Sequence, residues 1–265
     1  DPVDSWIHPV VISPVPKCII GIDILSSWQN HHIGSLTGKV RATMVGKVKW
    51  KPLELPQKIV NQKLYPIPGG TEEISATIKD VKDAGAVLAT TSPFNSPMWP
   101  MQKTDGSWRM AVDYCKLNQV VTLIAAAVPD VVSFLEKINT SPSTWCAAID
   151  LTNPFFISVH KAHQKQFAFS GQRQQHTFTV LPQGCINSPA LCHNLIQRDC
   201  NCFLLPQDIT LVHYIDDIML IGSSEQEIAN TLDLFMRHFC TREWEINLTK
   251  FQGHFISVKF LGVIR

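Results

Sequence analysis

Two adjacent carboxylates, Asp216 and Asp217, interrupt an apolar stretch that runs from Leu211 to Ile221. Burying two like charges side by side in a strand costs several kcal/mol unless a cation or hydrogen-bond donors neutralise them. We therefore expect the apolar residues on either side to form two short strands, with the aspartates at the tip of a tight hairpin. Because Asp is a favoured turn residue, the pair by itself also fits an ordinary polar turn.

A third carboxylate follows another apolar run. The segment from Trp145 to Leu151 predicts a buried strand that carries Asp150 near its end. A hairpin is predicted from 98–101 and 108–112, and Lys103 and Arg109 near its tip and base could contact the same anion. A Lys beside a turn is more often only solvated, so this signal is weak by itself.

The remaining pattern predicts an α+β fold. Turn residues separate short apolar strands without a βα repeat, and this arrangement favours antiparallel hairpins mixed with helices. Capping residues and apolar positions at helical spacing predict four helices. Thr71, Ser188 and Ser224 are the expected N-caps of three of them, Pro129 begins the other, and Gly85 ends the first.

Composition limits the functional classes. The 265 residues are 45% hydrophobic with a net charge of +1, which suits one large or two smaller globular domains rather than a generally basic nucleic-acid binder. Residues 39–63 contain seven basic residues against one acidic residue, which fits either a solvated linker or an arm that contacts phosphates. The eight cysteines lack metal-finger spacing, and no stretch resembles a signal peptide or a membrane span, so reduced thiols and a cytoplasmic location are expected.

Three motifs occur in a recognisable order, namely AAIDLTNPFF around Asp150, LPQGCINSPALC from Leu181 and YIDD from Tyr214. Together they resemble the polymerase domain of retroviral reverse transcriptases, particularly gammaretrovirus-like endogenous Pol proteins. The resemblance covers residues 63–265 and implies fingers and palm subdomains without a thumb. Residues 1–38 resemble the C-terminal end of a retroviral aspartic protease that lacks its catalytic triplet, and residues 39–62 would form a basic, proline-containing linker.

The resemblance implies an RNA-directed DNA polymerase that extends a primer on an RNA or DNA template with deoxynucleoside triphosphates. Such chemistry uses two divalent ions, Mg²⁺ or Mn²⁺, roughly 3.5–4 Å apart. The carboxylates of Asp150, Asp216 and Asp217 and the carbonyl of Leu151 would hold them. The thumb, connection and RNase H regions of a Pol polyprotein would be its covalent partners.

The resemblance also assigns the residues around the nucleotide. Lys103 and Arg109 would contact the triphosphate, Phe155 would exclude a 2′-hydroxyl, and Gln183 would touch the sugar. Leu261 and Gly262 match the primer grip, although a plain core strand explains them nearly as well.

A second hypothesis is a catalytically silent retroviral remnant that acts at most as a nucleic-acid-binding or interaction module. Asn153 and Pro154 stand where family members usually carry Asp-Ala, whose backbone N–H groups meet the triphosphate. Proline has no N–H to donate.

Overall fold

The computed structural model describes most of the chain beyond residue 54. The described residues are 55–65, 69–102, 108–125, 145–152, 154–171, 173–247, 251–255, 259–260 and 263–264. The protease-like segment, most of the linker, the helix expected near Pro129, and the residues Lys103, Asn153, Leu261 and Gly262 lie outside them. For Arg109 only the backbone is described.

Five strands form the first sheet. They are β1 (Val87–Ala89), β2 (Ser96–Gln102), β3 (Trp108–Val112), β5 (Ala168–Gly171) and β6 (Gln174–Phe178). The order is β1-β6-β5-β2-β3, in which only β2 and β5 are parallel. Met98 pairs with Val112, so the hairpin predicted from these two segments is confirmed.

Four strands form the second sheet, which carries the three aspartates. They are β4 (Trp145–Asp150), β7 (Ile209–Tyr214), β8 (Asp217–Gly222) and β9 (Gln252–Phe255). The order is β7-β8-β4-β9, and every neighbouring pair is antiparallel. The strand predicted to deliver Asp150 is thus confirmed, and it lies inside the sheet. Two short strands, β10 (Lys259–Phe260) and β11 (Val263–Ile264), pair separately.

The helices are α1 (Thr71–Asp83), α2 (Cys115–Asn118), α3 (Lys161–Gln164), α4 (Ser188–Asn201) and α5 (Glu225–Thr241), with a 3₁₀ turn at Lys165–Phe167. Ser224 caps α5 as predicted, since its side chain accepts from the Glu227 N–H. The two other predicted caps are wrong by one residue. The N-caps are Gly70, which has a φ of +70°, and Asn187, so Thr71 and Ser188 are the first helical residues.

The hydrophobic core joins both sheets to the helices. The apolar faces predicted for α1, α4 and α5 are buried, and α5 packs against β4 and β8. A Cβ built on Gly222 would lie 3.1 Å from Cδ1 of Ile228, so the small residue allows the end of β8 to approach α5 closely. Mixed helices and mainly antiparallel sheets confirm the α+β prediction.

Two sequence expectations concern the environment of the chain. Within the described residues, no helix combines the length and hydrophobicity needed to cross a membrane. Cys146, Cys185, Cys192, Cys200, Cys202 and Cys240 are free thiols, as expected, but Cys115 is disulfide-bonded, which contradicts the expectation of reduced thiols at that position. The cytoplasmic location stays a prediction.

Candidate active site

The aspartate pair lies at a two-residue hairpin turn. Tyr214 at the end of β7 pairs with Asp217 at the start of β8, which leaves Ile215 and Asp216 as the turn. Both aspartates are partly exposed, whereas Ile218 and Met219 behind them are fully buried. The predicted hairpin tip is therefore confirmed, with Asp217 serving as the first residue of the returning strand.

The register of the sheet brings the third carboxylate to the same place. Asp150 is the last residue of β4 and pairs directly with Asp217 on β8. Side chains of directly paired residues project from the same face of a sheet, with Cβ atoms about 5 Å apart. Asp150 and Asp217 thus share a face, and Asp216 precedes them in the turn.

Asn247 contacts Asp150 from the far end of the chain, and sequence reasoning missed it. Its side-chain Nδ2 donates to Oδ1 of Asp150 over 3.2 Å, and its backbone N–H donates to the Asp150 carbonyl over 2.8 Å. The residue is buried, at 4% exposure. Residues 245–248 alternate polar and apolar side chains, and no local pattern in them identifies Asp150 as the partner of Asn247.

The loop that carries Gln183 is fixed by side chains from two places. Gly184 adopts a φ of +86°, a conformation that glycine reaches without strain. Asn118 donates to the Gly184 carbonyl and accepts from the Ile186 N–H, both over 2.9 Å, and Ser188 Oγ donates to the Pro182 carbonyl. Gln183 Oε1 is buried and receives no donor from the described residues.

The Phe155 side chain belongs to the hydrophobic core. It is 3% exposed and follows Pro154, whose carbonyl accepts a weak hydrogen bond from Cys192 Sγ at 3.6 Å. Pro154 itself brings no backbone N–H to this loop. A hydrogen bond from α4 to the Pro154 carbonyl therefore holds this loop.

The chemistry of the donor set suits a hard divalent cation, because carboxylate and carbonyl oxygens are the usual ligands of Mg²⁺. Within the described residues, however, no group of three or more His, Cys, Asp or Glu side chains is gathered closely enough to hold a metal. Strand pairing brings the backbones of Asp150, Asp216 and Asp217 together, but among the described residues their carboxylates do not converge closely enough to form a complete metal site. Their role as metal ligands stays a prediction, as do the roles of Lys103, Arg109, Leu261 and Gly262.

Comparison with known proteins gives a consistent result. Residues 101–265 match the family described as "Reverse transcriptase (RNA-dependent DNA polymerase)". The chain is 31% identical over 205 residues to the Pro-Pol polyprotein of simian foamy virus type 1, covering 76% of this chain and 17% of that polyprotein. It is 27% identical over 228 residues to the Gag-Pol polyprotein of walleye dermal sarcoma virus, covering 83% and 13%.

A solved structure supports the same assignment. The foamy viral protease-reverse transcriptase in complex with an RNA/DNA hybrid superimposes with a TM-score of 0.72 at 28% identity, covering 82% of this chain and 29% of that one. The five-stranded and four-stranded sheets are accordingly fingers and palm. The chain spans less than a fifth of the length of these two curated relatives. On the family match, which covers more than half of its residues, the chain belongs to the reverse transcriptase family and corresponds to the polymerase domain of a retroviral Pol polyprotein.

Proposed function

We propose that this domain is an RNA-directed DNA polymerase that transfers a nucleotidyl group from a deoxynucleoside triphosphate to a primer 3′-hydroxyl on an RNA or DNA template. The observation that carries the proposal is the pairing of Asp150 with Asp217, with Asp216 in the adjoining turn. Three carboxylates at one edge of a sheet repel one another, so they favour a site that binds cations.

Two Mg²⁺ ions, or Mn²⁺ in their place, would be held by the carboxylates of Asp150, Asp216 and Asp217 and by the Leu151 carbonyl. When bound, such ions supply an activated 3′-oxygen and stabilise the charge on the triphosphate. Asn247 already donates to one oxygen of Asp150, and this contact orients the carboxylate. Leu151 is 2% exposed, so its place at the end of β4 is fixed by the core.

The nucleotide would be bound by groups on three sides. Gln183 would touch the sugar, and its loop is held in place by hydrogen bonds from Asn118 and Ser188. Phe155 would lie beneath the sugar and exclude a 2′-hydroxyl. Lys103 would contact the triphosphate as a point charge and Arg109 through its guanidinium fork.

The template-primer would be bound mainly through its phosphates, and Leu261 and Gly262 would position the primer end. The polymerase region would span residues 63–265, after the protease-like segment 1–38 and the basic linker 39–62. Residues 60–62 already exchange backbone hydrogen bonds with Asn95 on the fingers side, so the linker ends against this domain.

We also propose a gammaretrovirus-like endogenous origin, on the sequence of the three motifs. Sequencing the genomic locus tests it, since an endogenous copy lies between two long terminal repeats. Unique flanking sequence on both sides would contradict it.

A second candidate is a silent nucleic-acid-binding module, and one observation favours it. Pro154 leaves the loop before Phe155 with one backbone N–H fewer to offer to a triphosphate, while its carbonyl is engaged by Cys192. Such a module would retain the phosphate contacts and bind template-primer without extending it.

Primer extension on an RNA template, with Mg²⁺ and separately with Mn²⁺, distinguishes the two. The wild type is compared with Asp216→Asn and with Asp233→Asn, an exposed carboxylate on α5 that serves as the matched control. Each protein is assayed alone and fused to the C-terminal region of a related reverse transcriptase. Polymerase function predicts extension by the wild type and the control but not by Asp216→Asn, and tight template-primer binding without extension by any of them supports the silent module.

A further inference from the structure

The residue between Tyr214 and the aspartate pair has a strained backbone. Ile215 has a φ of +53°, in the left-handed region, where a β-branched side chain is unfavourable by roughly 1–3 kcal/mol. Among the residues that the structure describes, the two other non-glycine residues with positive φ are Arg173 and Glu243, neither of which is β-branched. Such a conformation persists only when neighbouring groups hold it.

Two histidines from different elements hold both polar groups of this residue. Nε2 of His213, on β7, donates to the Ile215 carbonyl over 2.6 Å. The Ile215 N–H donates to Nδ1 of His193, on α4, over 3.3 Å. The two histidines therefore hold Ile215 through hydrogen bonds to both its N–H and its carbonyl.

The two imidazole rings also hold each other. Their centroids are 4.4 Å apart with an interplanar angle of 7°, and their exposed fractions are 0% for His193 and 7% for His213. A carbonyl only accepts, so Nε2 of His213 carries a proton, and Nδ1 of His193 must be unprotonated to accept the Ile215 N–H, which places the proton of that ring on Nε2. Burial, with a smaller contribution from His193, lowers the pKa of His213 to about 4, which keeps this ring uncharged near neutral pH.

We propose that His193 and His213 are positioning residues that hold the Ile215 peptide in its left-handed conformation and thereby aim the carboxylates of Asp216 and Asp217. The proposal rests on the polymerase function proposed above. Ile215 is joined directly to Asp216, so rotation about its backbone redirects the carboxylate that follows. A misplacement of about 1 Å at a reacting group costs up to roughly 100-fold in rate.

The first test needs no activity. Amide hydrogen exchange of Ile215 is measured in the 265-residue wild type and in His193→Leu, which preserves apolar volume but removes the acceptor. Loss of one hydrogen bond should accelerate exchange by roughly five- to tenfold. Histidine ¹⁵N resonances of the wild type should show both rings neutral and protonated on Nε2. Unchanged exchange in a folded His193→Leu, or the opposite tautomer on either ring, would overturn the proposal.

The second test separates positioning from stability. His213→Leu removes the donor, whereas His213→Gln places an amide N–H at the same distance along the side chain. In the fusion protein, His213→Leu should lower kcat by roughly 10- to 100-fold with little change in the KM for nucleotide, and His213→Gln should restore most of it. Equal kcat in all three, or equal loss in both variants with folding and template-primer binding intact, would refute the proposal.

The two tests also keep the two claims apart. If the wild type extends no primer, the polymerase proposal fails, while the exchange and tautomer measurements still decide whether the histidines hold Ile215.

Discussion

Asp199 and Asp150 are both carboxylates of the palm, yet they have different surroundings. Asp199 is 3% exposed, and its carboxylate receives the Trp244 indole N–H at 2.8 Å and an ion pair from Arg198 at 3.1 Å, with Arg242 at 3.6 Å. Asp150 is partly exposed, and its described donor is the neutral amide of Asn247. A carboxylate bound by cations and an indole serves to join α4 to the chain that follows α5. Asp150 instead lies partly exposed at the end of β4, where it is paired with Asp217.

The largest expected effect follows removal of a charge from the proposed cation site. Asp150→Asn retains an acceptor for Asn247 but removes a proposed cation ligand, so nucleotide incorporation should fall by roughly 10³-fold or more. The free energy of unfolding without divalent ions should stay within about 0.5 kcal/mol, because the substitution retains the acceptor for Asn247 and only relieves repulsion with Asp217. Primer extension and urea unfolding measure the two quantities. Full activity in this variant would contradict the proposal that Asp150, unlike Asp199, binds a cation.

A second expected effect concerns His213, a buried neutral group, and appears in the pH dependence of the unfolding free energy. The pKa of His213 is about 4 in the folded protein and near 6.5 when unfolded, because burial disfavours the charged ring. The unfolded chain therefore binds the extra proton first, and stability that is present above pH 6.5 is lost as pH falls toward 4. Between pH 7.5 and pH 5 the loss should be about 2 kcal/mol.

Urea unfolding of wild type and His213→Gln at both pH values isolates this contribution from that of the carboxylates. The glutamine variant should show a loss smaller by that amount. Parallel pH dependence in the two proteins would contradict a buried neutral His213.

Asp199→Ala tests the other side of the comparison. It leaves the buried Trp244 N–H without its acceptor and removes the ion pairs of two partly exposed arginines, so unfolding free energy should fall by about 2–3 kcal/mol. The loss in incorporation should be no larger than the loss of folded protein. Asp208→Ala, at an exposed position, is the control for stability. A stable variant with a specific loss of activity would mean that Asp199 also belongs to the catalytic machinery.

The smallest effect is expected at Asn247. Asn247→Ala removes one side-chain hydrogen bond to Asp150 while the backbone contact remains, which should cost about 1 kcal/mol of stability and roughly three- to tenfold in incorporation. Asn247→Asp places a like charge beside Asp150 and should reduce incorporation further. If the alanine variant retains full incorporation, the amide does not orient the carboxylate.

The sequence predicts the parts of this site that depend on local pattern. The apolar runs before Asp150 and around Asp216 and Asp217 determine strands, and the aspartate pair determines the turn between two of them, as the structure confirms. The predicted N-caps Thr71 and Ser188 each lie one residue after the observed caps, Gly70 and Asn187. A cap depends on backbone dihedrals and on tertiary partners, and Ser188 Oγ donates to Pro182 rather than to its own helix.

The supporting residues were not predictable in the same way. Asn247 lies 97 positions from Asp150, and His193 lies 22 positions from Ile215, so each acquires its role only through tertiary packing. His213 did carry a signal, since a polar ring in an apolar strand needs a partner when buried. The sequence does not reveal that this partner is a peptide group two residues ahead.

The position of β4 inside the palm sheet has a consequence for synthesis of the chain. Both of its neighbours, β8 and β9, follow it in the sequence, and the contact from Asn247 closes the far end of the same strand. During translation an apolar strand therefore leaves the ribosome well before any partner for its two edges exists. Exposed strand edges are templates for aggregation, so nascent chains of this domain should depend on chaperones until the segment through β9 has been made.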